Sequence, residues 1–411
     1  MQFSRFLHNE AVTLAEMAGT AAARTASLGA GRELLVIQDS SNLVFGGRKA
    51  RARGFGAVGK GGWLSGLMLH VALVSDALTG AVLGPLDIQL FNRKPQKAAP
   101  RRQRPTAQKE SQRWLDVMQK ASSLLAAAAS ITLVADRESD FYEEFARRPA
   151  NVHLLTRAAQ DRLVRREDGT VLLLSALAGS LTEQGRFTTL LPAAPRRVAR
   201  EAELILRYAR IDLCKPKNGA AADLAKTVPV TLVELNEATA PSEGKALHWR
   251  LLTTHAVDTP QQARHIIDLY RKRWLIEEYF HTLKTGGFDI ETAQIEDPAA
   301  MTRLVAAVAC AAVTVMQLLR ARDGKSDQKL QEVFEPDERV LLQTISAQYE
   351  GKTVRQKNPH PKDSLAYATW VIARLGGWDG YYGKPGPTTL RRGLQDFYLI
   401  KYGADLQLPD V

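Results

Sequence analysis

Hydrophobic and polar residues follow one another along the chain in blocks that predict both strands and helices. Residues 1–30 are Ala-rich and predict helix up to the break at Gly29-Ala30-Gly31. Residues 34–39 (LLVIQD) are a short apolar run that closes on an acid, as a buried strand does. Residues 62–91 hold two or three further apolar runs, which the pairs Thr79-Gly80 and Gly84-Pro85 divide as turns. The first quarter of the chain therefore predicts a helix followed in sequence by an antiparallel set of strands.

The middle of the chain continues with strands. Residues 131–134 (ITLV) are a β-branched run followed by an acid, Asp136, and then by a helix that Ser139 or Asp140 would cap. From about residue 156 to residue 250 short alternating runs such as AELILRYARIDL predict a β-rich block.

The last part of the chain reads mainly as helix. One more strand is predicted at residues 247–255 (LHWRLLTTH), and a helix is predicted from about Pro260 to Leu283. An Ala-rich helix at residues 304–319 and a mostly helical region ending near Phe397 follow. The run at 304–319 is shorter than the roughly 20 residues that cross a bilayer and is interrupted by polar residues, so a buried helix is the better interpretation.

Composition adds a bias towards an anionic partner. Lys and Arg number 55 against 44 Asp and Glu, which gives a net charge of +11, and such a balance suits a phosphate backbone. Residues 46–62 are Gly-rich and basic, so they are either a solvated loop or a loop that follows a nucleic acid backbone. Residues 92–110 are basic and Pro-interrupted and predict a mobile linker.

Two cysteines, Cys214 and Cys310, are far apart and have no metal-ligand spacing. They argue against a disulfide framework and against structural zinc, and they fit a reducing compartment. The amino-terminal residues lack the apolar core of a signal peptide. The sequence therefore predicts a cytoplasmic protein with no membrane partner.

Candidate chemistry is concentrated in residues 270–286 (YRKRWLIEEYFHTLKTG). On one continuous helix, Tyr270, Arg273, Glu277 and Lys284 fall within roughly 60° of arc, and His281 nearly joins them. The opposite side supplies apolar residues for packing. This stripe is either a set of surface salt bridges, such as Arg273 with Glu277 at i,i+4, or a site in which a carboxylate binds a metal ion and the bases bind phosphates.

The second interpretation needs further acids, and Asp39 and Asp136 provide them. Each is predicted at the carboxyl end of a buried strand. Asp39 could instead shape a turn, and Asp136 could cap a helix. Taken with Glu277, however, two strand-end aspartates match the ligand set for Mg²⁺ in two-metal phosphoryl transfer.

These residues also carry a resemblance to a known family. The spacing Tyr270-x2-Arg273-x3-Glu277-x6-Lys284 resembles the YREK signature of the DDE transposases of the insertion-sequence-four family, the group that includes the Tn-five transposase. VIQDSSNL around Asp39 and VADRESD around Asp136 resemble its two aspartate motifs, and HWRLLTT with Trp249 is similar to the strand before its catalytic helix. IARLGGW, at residues 372–378, resembles its carboxy-terminal region.

The resemblance implies residue roles and cofactors. Asp39, Asp136 and Glu277 would be the catalytic residues and would bind two Mg²⁺ ions, which Mn²⁺ can replace. The DNA-binding residues would be Tyr270, Arg273 and Lys284 on phosphates and a distorted DNA end, Trp249 on a flipped base, and Arg157 on DNA. The Arg157 offset from Asp136 is one residue shorter than in the family, so a structural salt bridge is an equal alternative for it.

The fold that the resemblance implies is α/β, an RNase H-like catalytic core with a β-rich insertion and a helical C-terminal domain. The expected boundaries are 1–30 for a remnant amino-terminal helical segment, 31–155 and 250–325 for the two parts of the core, 156–249 for the insertion and 326–411 for a dimerisation domain. The implied reaction is metal-dependent cleavage and strand transfer on double-stranded DNA by a homodimer, through a hairpin, in the bacterial cytoplasm near the nucleoid.

One departure from the family keeps a second class of function open. Family members carry a longer amino-terminal domain that recognises the element ends, and only about 30 residues precede the first predicted strand here. The sequence would then be a shortened or mis-started transposase. An alternative is a non-transposing inhibitor that heterodimerises with the full-length enzyme, and a third is a domesticated DNA-binding protein.

Overall fold

The computed structural model describes residues 2–46, 53–93, 110–193, 198–217, 221–241, 244–381 and 383–405. In these ranges the strands are β1 (Glu33–Gly46), β2 (Gly56–Val58), β3 (Leu64–Asp76), β4 (Val82–Phe91), β5 (Ser130–Ala135), β6 (His153–Arg157), β7 (Leu163–Arg165), β8 (Val171–Leu173), β9 (Gly185–Leu191), β10 (Arg200–Cys214), β11 (Thr227–Glu237) and β12 (His248–Thr253). The helices are α1 (Gln2–His8), α2 (Leu14–Gly29), α3 (Gln112–Leu124), α4 (Tyr142–Ala146), α5 (Leu174–Ser180), α6 (Pro260–Arg271), α7 (Trp274–Lys284), α8 (Pro298–Ala321), α9 (Pro336–Tyr349), α10 (Leu365–Leu375) and α11 (Pro387–Asp405). The predicted α/β class is confirmed, and the arrangement is compatible with an RNase H-like core.

The chain forms two compact units, each assembled from separate segments. The first unit comprises Met1–Glu33, Ser40–Gln96 and Trp274–Val411, and the second comprises Leu34–Asp39 and Lys97–Arg273. Strand β1 therefore contributes its buried beginning to the second unit and its remainder to the first.

In the first unit, β3 pairs antiparallel with both β2 and β4, as the sequence predicts for this region. The predicted turn at Gly84-Pro85 is wrong, because both residues lie within β4. A Cβ at Gly84 would meet the Thr25 hydroxyl of α2 at 2.1 Å, and Thr25 donates a 3.0 Å hydrogen bond to the Pro85 carbonyl. The glycine thus permits a close helix–strand approach rather than a turn.

Four helices of the first unit, α8 to α11, close on a shared apolar core around Phe334, Trp370 and Phe397. Helix α8 is long and apolar enough to cross a membrane. An 18-residue stretch of it has a mean hydropathy of 1.9, but 56% of that stretch is buried inside the protein. Buried core helices meet the same length and composition criteria, so this is weak evidence for a membrane span. Helix α11 continues to Asp405, beyond the predicted end near Phe397.

In the second unit the strand order is β1-β5-β6-β12-β11-β10-β7-β8, with β9 also on β10. Strands β5 and β6 are parallel, whereas β6, β12, β11 and β10 pair antiparallel in succession. Five strands, β7 to β11, occupy the region predicted to be β-rich. Of the two basic segments, residues 47–52 and 94–109 lie outside the described residues, and β2 lies inside the first segment, where a loop was predicted.

The predicted helix from Pro260 to Leu283 is wrong in one respect: it is two helices, α6 and α7. At the break the amide of Arg273 bonds to the carbonyl of Tyr270 at 3.0 Å, and that of Lys272 bonds to Leu269 at 3.1 Å. These i→i−3 bonds replace the α-helical ladder and tighten the chain by a local 3₁₀ turn. Neither proline nor glycine marks the break, so periodicity could not show it. The calculation that placed four side chains within roughly 60° of arc assumed one continuous helix. Of those four, only Glu277 and Lys284 lie on the same helix, α7.

Candidate active site

Asp39 lies where the interior of β1 gives way to a more exposed surface. The five residues before it are buried, and Asp39 is the first of four half-buried residues. Its prediction as a strand end is wrong, because β1 continues to Gly46. Its carboxylate oxygen Oδ2 lies 3.6 Å from Nη1 of Arg273, and the two side chains are only 20% and 18% exposed. A cation is thus already next to this carboxylate in a partly desolvated place.

Asp136 directly follows β5, whose last five residues are buried. The predicted position at a strand end is confirmed. Its oxygen Oδ1 accepts a 2.8 Å hydrogen bond from the amide of Glu138, so Asp136 also caps the 3₁₀ turn Arg137–Ser139. The capping alternative is therefore correct for this turn. The carboxylate is held in one orientation by the cap.

Tyr270 connects the predicted DNA-binding residues of the second unit. Its ring meets that of Trp249 edge-on, with 5.1 Å between centroids and 74° between planes. Burial raises the pKa of the Tyr270 hydroxyl, while Arg273 and Arg157 lower it and Asp136 raises it. Its side chain is also hydrogen-bonded to that of Arg273. These charges therefore surround one buried, protonated phenol.

Arg157 ends β6, and its guanidinium Nη2 donates a 3.0 Å hydrogen bond to the carbonyl of His248. Burial lowers the pKa of this guanidinium, and the charge of Arg137 lowers it further. The Tyr270 hydroxyl and the Asp136 carboxylate act in the opposite direction. Arg157 therefore belongs to the same cluster as Asp136 and Tyr270. No ion pair of its own is found among the described residues, so the salt-bridge alternative has no support there.

Glu277 and Lys284 lie on α7, in the first unit. Both are half-buried, and α7 buries its other side with Leu275, Ile276, Tyr279, Phe280 and Leu283, as the helical pattern predicts. Nζ of Lys284 donates a 2.5 Å hydrogen bond to the carbonyl of Asn42 and lies 3.7 Å from Oε1 of Glu291. The neighbouring acid, Glu278, pairs with Arg320 at 3.0 Å.

The second unit thus brings together six of the eight predicted site residues: Asp39, Asp136, Arg157, Trp249, Tyr270 and Arg273. Two carboxylates surrounded by guanidinium groups can attract both a divalent cation and a phosphate. Among the described residues, no three His, Cys, Asp or Glu side chains converge as a metal-binding group. Mg²⁺ needs no such cage, because one or two carboxylates, water and substrate phosphates satisfy it. The donor set therefore fits a hard divalent ion.

Two buried carboxyl groups beneath this cluster are not found by the sequence reasoning. Glu144 lies in α4 and is bonded to the Ser139 hydroxyl, and it lies 3.5 Å from Nε2 of Gln38. Asp140 is bonded to Arg162. Neither Ser139 nor Asp140 caps α4, whose N-cap is Phe141, so that prediction is wrong. The sequence signal was the acidic run DRESDFYEE itself, which does not reveal burial.

A comparison with protein families agrees with this geometry. The family model for the transposase DDE domain matches residues 32–314, which is more than half of the chain. The chain belongs to this family of transposases, and the matched range includes every residue of the cluster together with Glu277 and Lys284. Transposases of this family act on DNA and generally use divalent metal ions.

Proposed function

We propose that this protein is an insertion-sequence transposase of the insertion-sequence-four, YREK type, and that it cleaves DNA at element ends and joins them to a target. The observation that carries the proposal is the cluster in the second unit. There Arg273 lies 3.6 Å from Asp39, and the charges of Arg157 and Asp136 act in opposite directions on the pKa of Tyr270. Acidic and basic groups at such close range suit a substrate that is a phosphodiester.

In this proposal Asp39, Asp136 and Glu277 hold two Mg²⁺ or Mn²⁺ ions. When bound, such ions supply Lewis-acid stabilisation of the charge that develops on the phosphate oxygens. Water attacks a phosphodiester phosphorus, the P–O3′ bond breaks, and the products are a 3′-OH and a 5′-phosphate. The 3′-OH then attacks a phosphodiester of the opposite strand, which forms a hairpin and releases the 3′-OH of the flanking DNA. A second water opens the hairpin, and the regenerated 3′-OH attacks a target phosphodiester and displaces the 3′-OH of the target strand. No covalent bond to the protein is involved.

The remaining side chains bind and orient the DNA. Arg273 and Arg157 approach phosphate oxygens with planar guanidinium groups, which suit bidentate contacts, and Lys284 adds a point charge. The indole of Trp249, which already packs edge-on against Tyr270, stacks on a base turned out of the duplex. Tyr270 stays protonated and can donate to a phosphate oxygen.

The whole chain would then be organised as an RNase H-like core (residues 31–155 and 250–325), a β-rich insertion (156–249) and a helical domain (326–411) that forms a homodimer. The protein would work on DNA in the cytoplasm, close to the nucleoid. The mixed α/β arrangement and the concentration of helices after residue 298 support this organisation.

The test uses purified protein with Mn²⁺ and a plasmid that carries the DNA flanking the gene on both sides. We expect nicks at the element ends, and we expect Asp136→Asn and Glu277→Gln each to reduce the rate by about 100- to 1,000-fold, because each would weaken the hold on the ions that stabilise charge in the transition state. Gel analysis of end-labelled fragments measures both the rate and the position of the nicks.

Glu278→Gln is the matched control, because Glu278 is the next residue on α7 and pairs with Arg320 at 3.0 Å. It should nick at close to the wild-type rate. Nicking that persists in Asp136→Asn or Glu277→Gln would refute the assignment of these carboxylates.

A further inference from the structure

Asp140 is a buried carboxylate with an unusually complete set of partners. Its side chain is fully buried, and that of its ion-pair partner Arg162 is 10% exposed. Its oxygen Oδ2 accepts hydrogen bonds from the amides of Ala159 at 2.6 Å and Gln160 at 2.8 Å. Its Oδ1 accepts from Arg162, which also donates to the Asp140 carbonyl at 2.9 Å. A buried charge is stable only with such partners.

These contacts join two segments that each carry a residue of the candidate site. Asp140 ends the 3₁₀ turn that Asp136 begins, and its own amide bonds to the Arg137 carbonyl. The partner amides, Ala159 and Gln160, lie two and three residues after Arg157, which ends β6. A single carboxylate therefore fixes the turn after Asp136 to the loop after Arg157.

The loop after β6 is also held from its other side. The amide of Ala158 donates to the carbonyl of Arg250 at 2.8 Å, and the guanidinium of Arg157 donates to the carbonyl of His248 at 3.0 Å. Both carbonyls belong to β12. With strand β12 on one side and Asp140 on the other, the backbone around Arg157 has little freedom to move relative to Asp136.

We propose that Asp140 is a positioning residue that sets the distance between the Arg157 guanidinium and the Asp136 carboxylate, and so the place of the substrate phosphate. This inference rests on the proposed function. Asp140 touches neither DNA nor metal; it acts through Arg157. Displacements of about 1 Å in a catalytic arrangement can reduce a rate by about 100-fold, so a group that prevents them is under functional constraint.

A double-mutant cycle separates this role from a merely structural one. The variants are Asp140→Asn, Arg157→Ala and the two combined, measured as kcat/KM for nicking of the same plasmid in Mn²⁺. We expect Asp140→Asn to lower kcat/KM by about 10- to 100-fold. In the Arg157→Ala background the same substitution should change it by less than about twofold, because its effect has already been lost. Effects that multiply would overturn the inference.

The matched control is Asp161→Asn in the same loop. Asp161 is exposed and accepts hydrogen bonds from the amide and the hydroxyl of Ser175 at 2.8 and 2.6 Å. It should leave kcat/KM at the wild-type value in both backgrounds. A loss as large as that in Asp140→Asn would mean that any disturbance of the loop suffices, and would overturn the specific role of Asp140.

If Asp140→Asn does not fold, as judged by a lost thermal transition, Arg162→Met replaces it in the cycle. That variant keeps the two amide hydrogen bonds and removes the ion pair together with the Arg162 bond to the Asp140 carbonyl, and the same non-multiplying pattern is expected. The two hypotheses fail differently. Wild-type protein that does not nick, or nicking that survives Asp136→Asn, refutes the proposed function. If the protein nicks DNA but the effects of the two substitutions on kcat/KM multiply, only the role of Asp140 is refuted.

Discussion

Glu144 shows how much of the candidate site depends on residues that lie beneath it. It is 1% exposed and is bonded to Ser139, which lies in the turn after Asp136, and it lies 3.5 Å from Gln38, which precedes Asp39. Burial raises the pKa of its carboxyl from 4.5 to about 8, against a lowering by the Ser139 hydrogen bond and a further raising by Asp140. At neutral pH the group is therefore largely protonated and can donate a hydrogen bond.

This raised pKa predicts a pH dependence of stability. Between pH 4.5 and about pH 8 the folded chain retains the Glu144 proton, whereas the unfolded chain has lost it. The unfolded state then binds fewer protons, so the contribution of Glu144 to the free energy of unfolding is largest below pH 4.5 and falls as the pH rises towards 8, by up to about 1.4 kcal/mol per pH unit. Glu144→Gln should flatten the fall measured by urea denaturation between pH 5.5 and 7.5.

Glu138→Gln is the control for this measurement, because Glu138 is exposed in the turn after Asp136. Its profile should follow that of the wild type. A Glu144→Gln profile as steep as the wild-type one would show that Glu144 is ionised in the folded protein and would contradict the raised pKa.

The sequence indicated residues that the second unit brings together, but not the buried groups around them. Asp136 and Tyr270 could be proposed as candidates because strand burial and motif spacing depend on local sequence. The burial of Glu144 and Asp140 could not, because it results from tertiary packing against residues such as Gln38 and Arg162, which are distant in the chain.

At the scale of the element, the break between α6 and α7 is where periodicity fails. The helical repeat continues through Lys272 and Arg273, and only backbone hydrogen bonding reveals the tighter turn. The capping box at Thr259, with Gln262, begins α6 at Pro260, where the sequence predicts the start of a helix. Start signals depend on neighbouring side chains, whereas an internal break without proline or glycine depends on what the two helices pack against.

Helices α10 and α11 cross so closely that one glycine decides their packing. A Cβ at Gly393 would lie 1.7 Å from the carbonyl oxygen of Ile372, so Gly393→Ala should separate the helices and lower the free energy of unfolding by about 1–3 kcal/mol. Thermal or urea unfolding measures this loss.

Gly403→Ala, in the same helix, is the matched control with the opposite sign. Nothing lies within 4 Å of a Cβ at Gly403. Alanine there should stabilise the helix by about 0.5–1 kcal/mol, because glycine is the poorer helix former. Equal destabilisation by both substitutions would contradict the close crossing as the cause.

At the scale of the whole molecule, the net charge of +11 and the exposed apolar residues of α11 suggest two kinds of partner. The charge favours DNA. On α11, Tyr398, Leu399 and Tyr402 are 45%, 61% and 53% exposed, and their i, i+3 and i, i+4 spacings place them near one another. The opposite side of the helix, with Leu390, Leu394 and Phe397, is buried.

If this exposed face of α11 joins the proposed homodimer, Leu399→Lys should convert the dimer into a monomer, because burying an ammonium group in an apolar contact is unfavourable. Sedimentation equilibrium of the protein, with and without DNA, measures the change. Val340→Lys on α9, at a residue 66% exposed, should leave the dimer intact. A wild-type protein that stays monomeric on DNA would contradict the prediction.

The assembly of the first unit from three stretches of chain has a consequence for its synthesis. Arg303 of α8 donates to the carbonyls of Leu7 and Val12, and Arg32 pairs with Glu332 at 3.2 Å. The amino-terminal helices are translated first, and about 300 further residues must be synthesised before these partners exist. A nascent chain that has not yet reached α8 therefore cannot complete this unit, and its amino-terminal helices lack the partners that would fix them.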